Sequence, residues 1–392
     1  MSSLTISGRR LMNDIKELAT FGGREHGGVD RVAGSPEDLA ARAWLVRRIE
    51  DAGLEGWTDA TGNVFGRVRG SRAPWVLCGS HTDTVPAAGH LDGAYGTIAA
   101  LEALRTLHEA GHPAAAAVMM VDFWDEEGVR PGSGGGLVGS TALRDSDSVR
   151  DIGAFVELHI EQGPRMEHAG LQLAVVDGIV GIDRYTVVVR GEANHAGTTP
   201  MDARADAGRA AARITGRLWE AVRTADETMV VNVGRMEFVP GSPNVIPGEA
   251  CFVAELRAAT QEALTEAERC LGKLVREICD EERCTARITQ LSHKPVVRFD
   301  DAVRRALDTA CRGRGVPVGH LSSFAGHDAG ALSAKVPTGM LFVPSAGGVS
   351  HSPAEDTAPE LLIQGAQVLL ETVVELTGVF CHGVAGHPRS RH

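Results

Sequence analysis

The sequence has 392 residues, 43% of them hydrophobic and 23% charged, so it is long enough for at least two domains with substantial cores. Acidic residues outnumber basic ones by 51 to 39 and no Lys/Arg cluster stands out, which argues against a nucleic-acid partner. No segment approaches the uninterrupted apolar run of about twenty residues that a membrane helix needs.

The cysteines and the N-terminal residues indicate the compartment. The seven cysteines are widely spaced and include no CxxC pair, so neither a disulfide framework nor a thiolate zinc site is indicated. No apolar signal core precedes a cleavage site near Met1. We therefore expect a globular protein of the cytoplasm with reduced thiols, without nucleic-acid or membrane partners.

Two helices are predicted at the beginning of the chain. Apolar residues recur at helical spacing between residues 8 and 53, interrupted by a glycine-rich stretch at 22–34. The recurring positions are Leu11, Ile15, Leu18, Leu39, Ala43, Leu45 and Ile49. We expect both helices to lie at the surface of the domain.

After residue 62 the pattern changes to short apolar runs, which predict strands buried on both faces. These runs are residues 64–68, 75–78, 118–124, 155–158 and, much later, 340–343. A helical stretch at 93–110 carries Ile98, Leu101, Leu104 and Leu107 along one broad face. The alternation of strands and helices predicts an α/β domain with a mainly parallel sheet.

The middle of the chain predicts a second domain. Strands are expected at 185–189, 229–233, 251–256 and 285–291, with helices from about 202 and through 264–278. The order βαββαβ matches the ferredoxin-like unit. We expect a first domain at 1–183 and 296–392, an inserted domain at 184–295, and a disordered tail at 383–392.

Polar residues follow three of the buried runs directly, at 79–83, 125–128 and 159–163. In an open α/β sheet the carboxyl ends of the strands converge on one crevice, so these groups are expected to meet there. Asp92 at the start of a helix and His351 after the last run add to them. Such nitrogen and oxygen donors suit zinc or a similar divalent ion, and a carboxylate can bridge two ions. The pattern predicts a two-metal hydrolytic site.

Taken one at a time, these residues have simpler interpretations. A histidine after a strand is most often capped or solvated, and adjacent acids such as Glu126 and Glu127 usually form a solvated turn. Their convergence favours the metal site. His327 and Asp328 could either support a metal ligand or form a structural hydrogen bond, and we favour the structural role. We interpret six other histidines as surface residues: His90, His108, His112, His168, His293 and His320.

Two other chemistries have no candidate residues. The glycine-rich segment at 134–141 has phosphate-loop spacing but lacks the lysine that would reach a phosphate. No serine or cysteine stands in a GxSxG elbow, so an acyl-enzyme mechanism is not indicated.

These motifs resemble those of the dinuclear-zinc aminoacylase and carboxypeptidase superfamily, in the branch of N-carbamoyl-L-amino-acid hydrolases, allantoate amidohydrolases and β-ureidopropionases. The resemblance covers nearly the whole chain. The most diagnostic motif is HIEQG, because related peptidases have an acidic ligand at the position of His159. The matching motifs, in order, are GGVDR at 27–31, SPED at 35–38, GSHTDTV at 79–85, DG at 92–93, EEGVR at 126–130, HIEQGP at 159–164, NHAGTTPM at 194–201, PNVIPG at 243–248, GHD at 326–328 and SHSP at 350–353.

The resemblance implies two divalent metal ions per subunit, zinc foremost, with manganese, cobalt or nickel as alternatives. It implies Glu126 as general base and acid, and Asp83 as the carboxylate that orients the imidazole of His81. The implied metal ligands are His81, Asp92, Glu127, His159 and His351, with Asp92 bridging. The inserted domain is implied to be a lid and the dimerisation surface of a homodimer. The implied substrate contacts are Gln162, Asn244, Arg257 and Gly326, together with His195, which would stabilise the oxyanion.

The implied activity is hydrolysis of an N-carbamoyl L-amino acid to the free amino acid, ammonia and carbon dioxide. Allantoate amidohydrolase and β-ureidopropionase are close alternatives. A dipeptidase or aminoacylase, and a non-catalytic or biosynthetically repurposed relative, are more distant ones. Arg257 offers the planar fork that matches a substrate carboxylate, although on residue type alone it could be an ordinary surface cation.

The sequence departs from the family pattern at one loop. After Val129 and Arg130, relatives usually have Phe and a short turn, whereas this chain has Pro131 and a glycine-rich run at 132–136. The loop follows the catalytic acid pair, so it can change the pocket or the range of substrates.

Overall fold

The computed structural model describes residues 4–381, so the predicted disordered tail at 383–392 lies outside the described residues. The chain forms two compact units. The second unit is Ile179–Val297, and the first is made of the chain on either side of it.

The described residues contain ten α-helices and thirteen strands. The helices are α1 Gly8–Leu18, α2 Pro36–Asp51, α3 Ala94–Glu109, α4 Val138–Asp145, α5 Arg165–His168, α6 Ala207–Val222, α7 Gln261–Glu281, α8 Asp301–Arg312, α9 Asp328–Leu332 and α10 Pro359–Phe380. The strands are β1 Glu55–Thr58, β2 Val64–Arg67, β3 Trp75–His81, β4 Val118–Phe123, β5 Ile152–Ile160, β6 Leu173–Ile179, β7 Gly181–Arg190, β8 Val230–Val239, β9 Glu249–Ala258, β10 Thr285–Lys294, β11 Val297–Arg298, β12 Val318–Ser323 and β13 Thr338–Val343.

The first unit is built on a nine-stranded mixed sheet whose central strands are parallel. The order is β1-β2-β4-β3-β5-β13-β6-β11, with β12 paired to β6. β4, β3, β5 and β13 are parallel neighbours, and the antiparallel pairs lie outside them. Every residue of β3, β4 and β13 is buried, as the apolar runs predict for strands covered on both faces. The predicted α/β class with a parallel core is confirmed.

The second helix, α2, differs from the sequence prediction in its orientation. Ser35 caps it by accepting the backbone N–H of Asp38, and Pro36 occupies its first turn. Leu39 is 55% exposed and Ala43 is also exposed, so the expected apolar face is wrong at these two positions. The helix instead buries Asp38 and Arg42, because polar partners inside the unit receive them.

Two helices of the first unit are buried more completely than an amphipathic pattern predicts. In α3 every residue from Ala94 to Leu107 is buried, so the predicted single broad face is too narrow. α10 is the one helix among the described residues long and apolar enough to cross a membrane by length and composition. Because 61% of its apolar window is buried in the structure, we interpret α10 as a core helix.

The second unit has the elements β7, α6, β8, β9, α7 and β10 in chain order. Its strands form an antiparallel sheet in the order β10-β7-β9-β8. β9 alternates strictly between buried and half-buried residues, so one face of the sheet is covered. The covering residues come from α6 and α7, including Ile214, Leu218 and Leu271. β8 is longer than predicted and largely exposed.

Candidate metal centre

The candidate site is built where the parallel strands end. His81 is the last residue of β3 and His159 the last but one of β5, while Glu126 and Glu127 follow β4 by a few residues. The chain after β13 returns to the same edge with His351. Since neighbouring parallel strands end at one edge of the sheet, the fold collects these side chains there.

One group of donor atoms comes from three buried residues, His81, Asp92 and His159, whose donor atoms lie within 4.8 Å of one another. Asp92 Oδ1 is 3.2 Å from His159 Nε2 and 3.7 Å from His81 Nε2. Gly93 permits this approach, because a Cβ there would be 2.4 Å from His81 Nε2 and the backbone φ is +62°. The first group therefore centres on one oxygen of Asp92.

The second group shares the same carboxylate. Asp92 Oδ2 is 3.1 Å from His351 Nε2, which in turn is 3.4 Å from Glu127 Oε1. His351 is about half exposed, whereas Asp92 and Glu127 are largely enclosed. Asp92 thus lies between the two groups, with one oxygen directed to each.

The buried carboxylates of this donor set lack the partners they would need in the absence of metal, so the set fits divalent metal ions. Glu127 Oε1 is buried and has no hydrogen-bond partner among the described residues. Among residues 4–381, Asp92, Glu126 and Glu127 form ion pairs only with histidines, and none of the three is paired with a Lys or an Arg. Buried carboxylates without cationic partners are costly, and two divalent ions would offset this charge.

Charges within the site shift the pKa values of its groups. Burial lowers the pKa of His159, but the hydrogen bond and charge of Asp92 outweigh it and raise that pKa to about 9. The hydrogen bond to Asp92 and the negative charge of Glu127 raise the pKa of His351 to about 10. Burial raises the pKa of Glu126 well above its ordinary value, helped by the charges of Asp328 and Glu127. A carboxyl group whose pKa is raised in this way is suited to accept a proton and later return it.

Asp83 contacts both the His81 ring and the acid pair. The His81 Nδ1 atom faces the backbone carbonyl of Asp83 at 3.0 Å, while the nearest carboxylate oxygen is 3.7 Å away. The carboxylate accepts the backbone N–H groups of Glu126 and Glu127, each at 3.2 Å. The carbonyl of Asp83 is thus closer to the ring, and its carboxylate holds the segment that carries the acid pair.

Gln162 and Gly326 are in the first unit. The Gln162 amide donates from Nε2 to Asp92 Oδ2 at 2.7 Å, and its Oε1 is buried without a hydrogen-bond partner among the described residues. Gly326 is exposed, and a Cβ there would contact nothing within 4 Å. Beside it, His327 is buried edge-on against the His159 ring at 4.7 Å and bonds to the Ser323 hydroxyl at 2.8 Å.

The remaining predicted substrate contacts lie in the second unit. His195 Nδ1 accepts the backbone N–H groups of Gly197 and Thr198, at 3.0 and 3.2 Å. A neutral His195 ring therefore carries its proton on Nε2. The carbonyl of Asn244 accepts the N–H of Ala196 at 2.9 Å, which joins the two loops. Arg257 on β9 donates from Nε to Glu255 at 2.8 Å.

The glycine-rich loop after Pro131 folds back on the acid pair. Leu137 donates its N–H to the Glu126 carbonyl at 2.9 Å. A Cβ on Gly136, where φ is +92°, would lie 2.2 Å from that carbonyl oxygen. The middle of the loop is open, since a Cβ at 132, 134 or 135 would contact nothing within 4 Å. The run therefore combines one close backbone approach with an exposed tip.

Several charged residues around the site were not among the sequence predictions. Glu157, inside β5, accepts the Ser80 hydroxyl at 2.7 Å and the N–H of Ala329 at 2.8 Å. An acid within the apolar run at 155–158 is a signal that could have marked it. Arg42 and Glu355 carry no comparable signal, because Arg42 stands in the mixed pattern of a surface helix and Glu355 in a polar loop.

Comparisons with known proteins show which family and which enzymes this chain is similar to. The family described as Peptidase family M20/M25/M40 matches residues 77–375. An N-carbamoyl-L-amino acid amidohydrolase of Geobacillus stearothermophilus is 34% identical over 407 residues, covering 95% of this chain and 99% of that protein. An allantoate amidohydrolase of Escherichia coli (strain K12) is also 34% identical, covering 92% and 95%. The crystal structure of a hydantoinase/carbamoylase family amidase from Burkholderia multivorans superposes with a TM-score of 0.85 at 32% identity, covering 95% and 98%.

Proposed function

Since the chain belongs to peptidase family M20/M25/M40, we propose that it cleaves the ureido group of an N-carbamoyl L-amino acid. The products are the free amino acid, ammonia and carbon dioxide. Family membership and the two amidohydrolases at 34% identity make the chain a hydrolase of amide C–N bonds. The choice of substrate among ureido compounds is the proposal.

The observation that carries the proposal is the position of Asp92 between two groups of donors. We assign His81 and His159 to one metal ion, Glu127 and His351 to the other, and Asp92 to both. When bound, the two ions would polarise the substrate carbonyl and activate water. Zinc is the first candidate because imidazole and carboxylate ligands suit it, and manganese, cobalt and nickel are alternatives.

Glu126 is assigned the proton transfers. Its Oε2 atom is 3.7 Å from His81 Nε2, so it borders the first donor group. Because burial raises its pKa, the carboxyl can hold the proton taken from the attacking water and return it to the leaving nitrogen. Asp83 supports this role by fixing the backbone N–H of Glu126.

Gln162 supports a ureido substrate over a simple amide. Its Oε1 is a buried acceptor without a hydrogen-bond partner among the described residues, and a ureido group ends in an NH₂ donor. We assign Gly326 and Asn244 to the same substrate, Arg257 to its carboxylate, and the Nε2–H of His195 to the oxyanion. The lid role of the second unit, the homodimer and the cytoplasmic location belong to this proposal as well.

Allantoate is the second candidate substrate. The relative from Escherichia coli named for allantoate is as similar to this chain as the relative named for N-carbamoyl amino acids. Both substrates pair a ureido group with a carboxylate, so the same residues could bind either.

A substrate panel with the metal-reconstituted protein tests the proposal. The panel contains N-carbamoyl L-amino acids, allantoate, N-carbamoyl-β-alanine and dipeptides, each with zinc and with manganese. We expect the highest kcat/KM on an N-carbamoyl L-amino acid. A preference for allantoate would select the second candidate, and faster hydrolysis of dipeptides would contradict a ureido substrate. No turnover with any compound, despite bound metal, would favour a non-catalytic relative.

A further inference from the structure

Glu355 is a buried carboxylate four residues after His351 that the assigned ligand set does not include. Only 2% of the residue is exposed. Among the described residues it forms no ion pair, although it lies beside an already acidic centre. A carboxylate in such a place needs specific hydrogen bonds to offset its burial.

The first of these bonds go to the backbone that carries Asp92. Glu355 Oε1 accepts the N–H of Leu91 at 2.9 Å and the N–H of Asp92 at 3.0 Å. Two consecutive N–H groups on one oxygen fix the peptide plane that precedes Asp92, and with it the direction in which the Asp92 side chain leaves the backbone. Asp92 and Glu355 are 263 positions apart in the sequence.

The second oxygen of Glu355 reaches the His351 loop. The Ser350 hydroxyl is 2.9 Å from Glu355 Oε2 and 2.9 Å from Asp92 Oδ2. Ser350 directly precedes His351, whose backbone has a φ of +52°. One carboxylate therefore contacts both the loop of Asp92 and the loop of His351.

Gly89 provides the space for this arrangement. A Cβ at residue 89 would lie 2.2 Å from Glu355 Oε1 and 2.3 Å from both Cβ and Cδ of Glu355. Because the clash includes the Cβ of Glu355 and not only its flexible end, any side chain at 89 would displace Glu355.

We propose that Glu355 is a positioning residue that holds Asp92 between the two metal positions and ties the His351 loop to it. This proposal rests on the assignment of Asp92 and His351 as metal ligands. Glu355 is not itself assigned as a ligand, because its Oε1 is occupied by two N–H groups and its Oε2 by a hydroxyl. Its effect is on the affinity for metal, through the geometry of Asp92.

The test is metal affinity by competition with a coloured chelator, using zinc and manganese and the full-length protein. Glu355→Gln keeps an oxygen for the two N–H groups, and its amide can donate to the Ser350 hydroxyl, which remains able to donate to Asp92. We expect Glu355→Gln to stay within a few-fold of wild type. Glu355→Ala removes all three contacts and is expected to weaken metal binding by about 10- to 100-fold.

Gly89→Ala is an independent route to the same state, since it displaces Glu355 without altering it. We expect a loss comparable to that of Glu355→Ala. The control is Glu375→Ala, an exposed acid on α10 that should leave metal affinity unchanged. Thermal unfolding of each metal-free variant shows that the comparison is made between folded proteins, and Gly89→Ala carries the test if Glu355→Ala does not fold.

The outcomes separate this proposal from the proposed function. Wild-type metal affinity in a folded Glu355→Ala or Gly89→Ala protein would overturn it, as would a Glu355→Gln protein as weak as Glu355→Ala. If the wild type binds two ions but hydrolyses no ureido compound, the proposed function fails while the role of Glu355 stands. A wild type that binds neither zinc nor manganese would overturn both.

Discussion

At the scale of single residues, the properties of the site follow from one aspartate and what surrounds it. Asp92 is 3% exposed and meets three imidazoles, the Gln162 amide and the Ser350 hydroxyl. Burial favours its neutral form, but the hydrogen bonds from His159 and His351 hold the pKa of Asp92 well below its ordinary value. Asp92 is therefore a carboxylate at neutral pH, which is the form that can bind two cations.

The role assigned to Glu126 is tested by Glu126→Gln. The amide keeps the size of the side chain but cannot take up a proton from water, so we expect kcat to fall by about 10²- to 10⁴-fold. Metal content should stay at the wild-type value, because Glu126 is not assigned as a ligand. The measurements are steady-state kinetics on the best substrate of the panel and elemental analysis of the purified protein.

Glu167→Gln is the matched control for Glu126→Gln. Glu167 is an exposed acid on the short helix α5, and its conversion to an amide should leave kcat unchanged. Near-normal turnover by Glu126→Gln would contradict the proton-transfer role, and loss of bound metal would instead make Glu126 a ligand.

At the scale of elements, α2 contacts the segments that follow β3 and β4 through one buried arginine. Arg42, with 5% of its side chain exposed, is 3.0 Å from Asp38, 2.8 Å from Asp122 and 3.8 Å from Asp83. It also donates to the Phe123 carbonyl at 2.8 Å, where β4 ends before the acid pair. Since Asp83 holds the N–H groups of Glu126 and Glu127, the helix acts on the acid pair through Arg42.

Replacing Arg42 should therefore reduce both stability and catalysis. Arg42→Met removes the ion-pair partner of three buried carboxylates, and we expect it to lower the free energy of unfolding by about 3 to 5 kcal/mol. We expect kcat to fall about tenfold or more, because the segment of Glu126 loses its support. Urea unfolding and steady-state kinetics measure the two effects.

The same helix offers the control for Arg42→Met. Arg47 is exposed on α2, so Arg47→Met changes the charge of the helix in the same way without opening the buried cluster. Both variants behaving alike would show that Arg42 acts only through net charge, against the role described above.

At the scale of the whole molecule, bound metal should contribute to the stability of the first unit. The donor carboxylates lie on segments separated by long stretches of chain, and ions that bind only the folded state stabilise it. We expect a chelator to lower the midpoint of thermal unfolding, and free metal at 100 times its dissociation constant to restore about 2.7 kcal/mol for each ion bound. Calorimetry before and after chelation measures this, and an unchanged midpoint with no metal released would contradict a metal centre.

A second whole-molecule prediction concerns the proposed homodimer and the second unit. We expect His195→Ala to be nearly inactive, as expected when an oxyanion donor is lost. If His195 acts across the dimer, subunit exchange between Glu126→Gln and His195→Ala should restore about a quarter of wild-type activity, because half of the dimers are mixed and each has one intact site. If it acts within its own subunit, the mixture stays inactive. Sedimentation analysis checks that the protein is a dimer and that subunits exchange.

The sequence alone was sufficient for the features that depend on local patterns. Short apolar runs predict the buried strands, and the polar residues that follow them predict which side chains meet at the carboxyl edge of the sheet. His81 and His159 could be found in this way because one fold rule relates a strand end to a crevice. The acid pair Glu126 and Glu127 was found by the same reasoning.

The tertiary structure decided the features that depend on contacts between distant segments. The pattern in α2 predicts that Leu39 faces the core, yet Arg42 is turned inward because Asp83 and Asp122, which are distant in sequence, lie there as its partners. In the sequence, Glu355 looks like an ordinary acidic residue of a loop, and only the fold places it at the backbone of Asp92. Neither contact has a local signal, because the energy that favours it comes from partners tens or hundreds of residues away, and only the closed fold brings those partners within hydrogen-bonding distance.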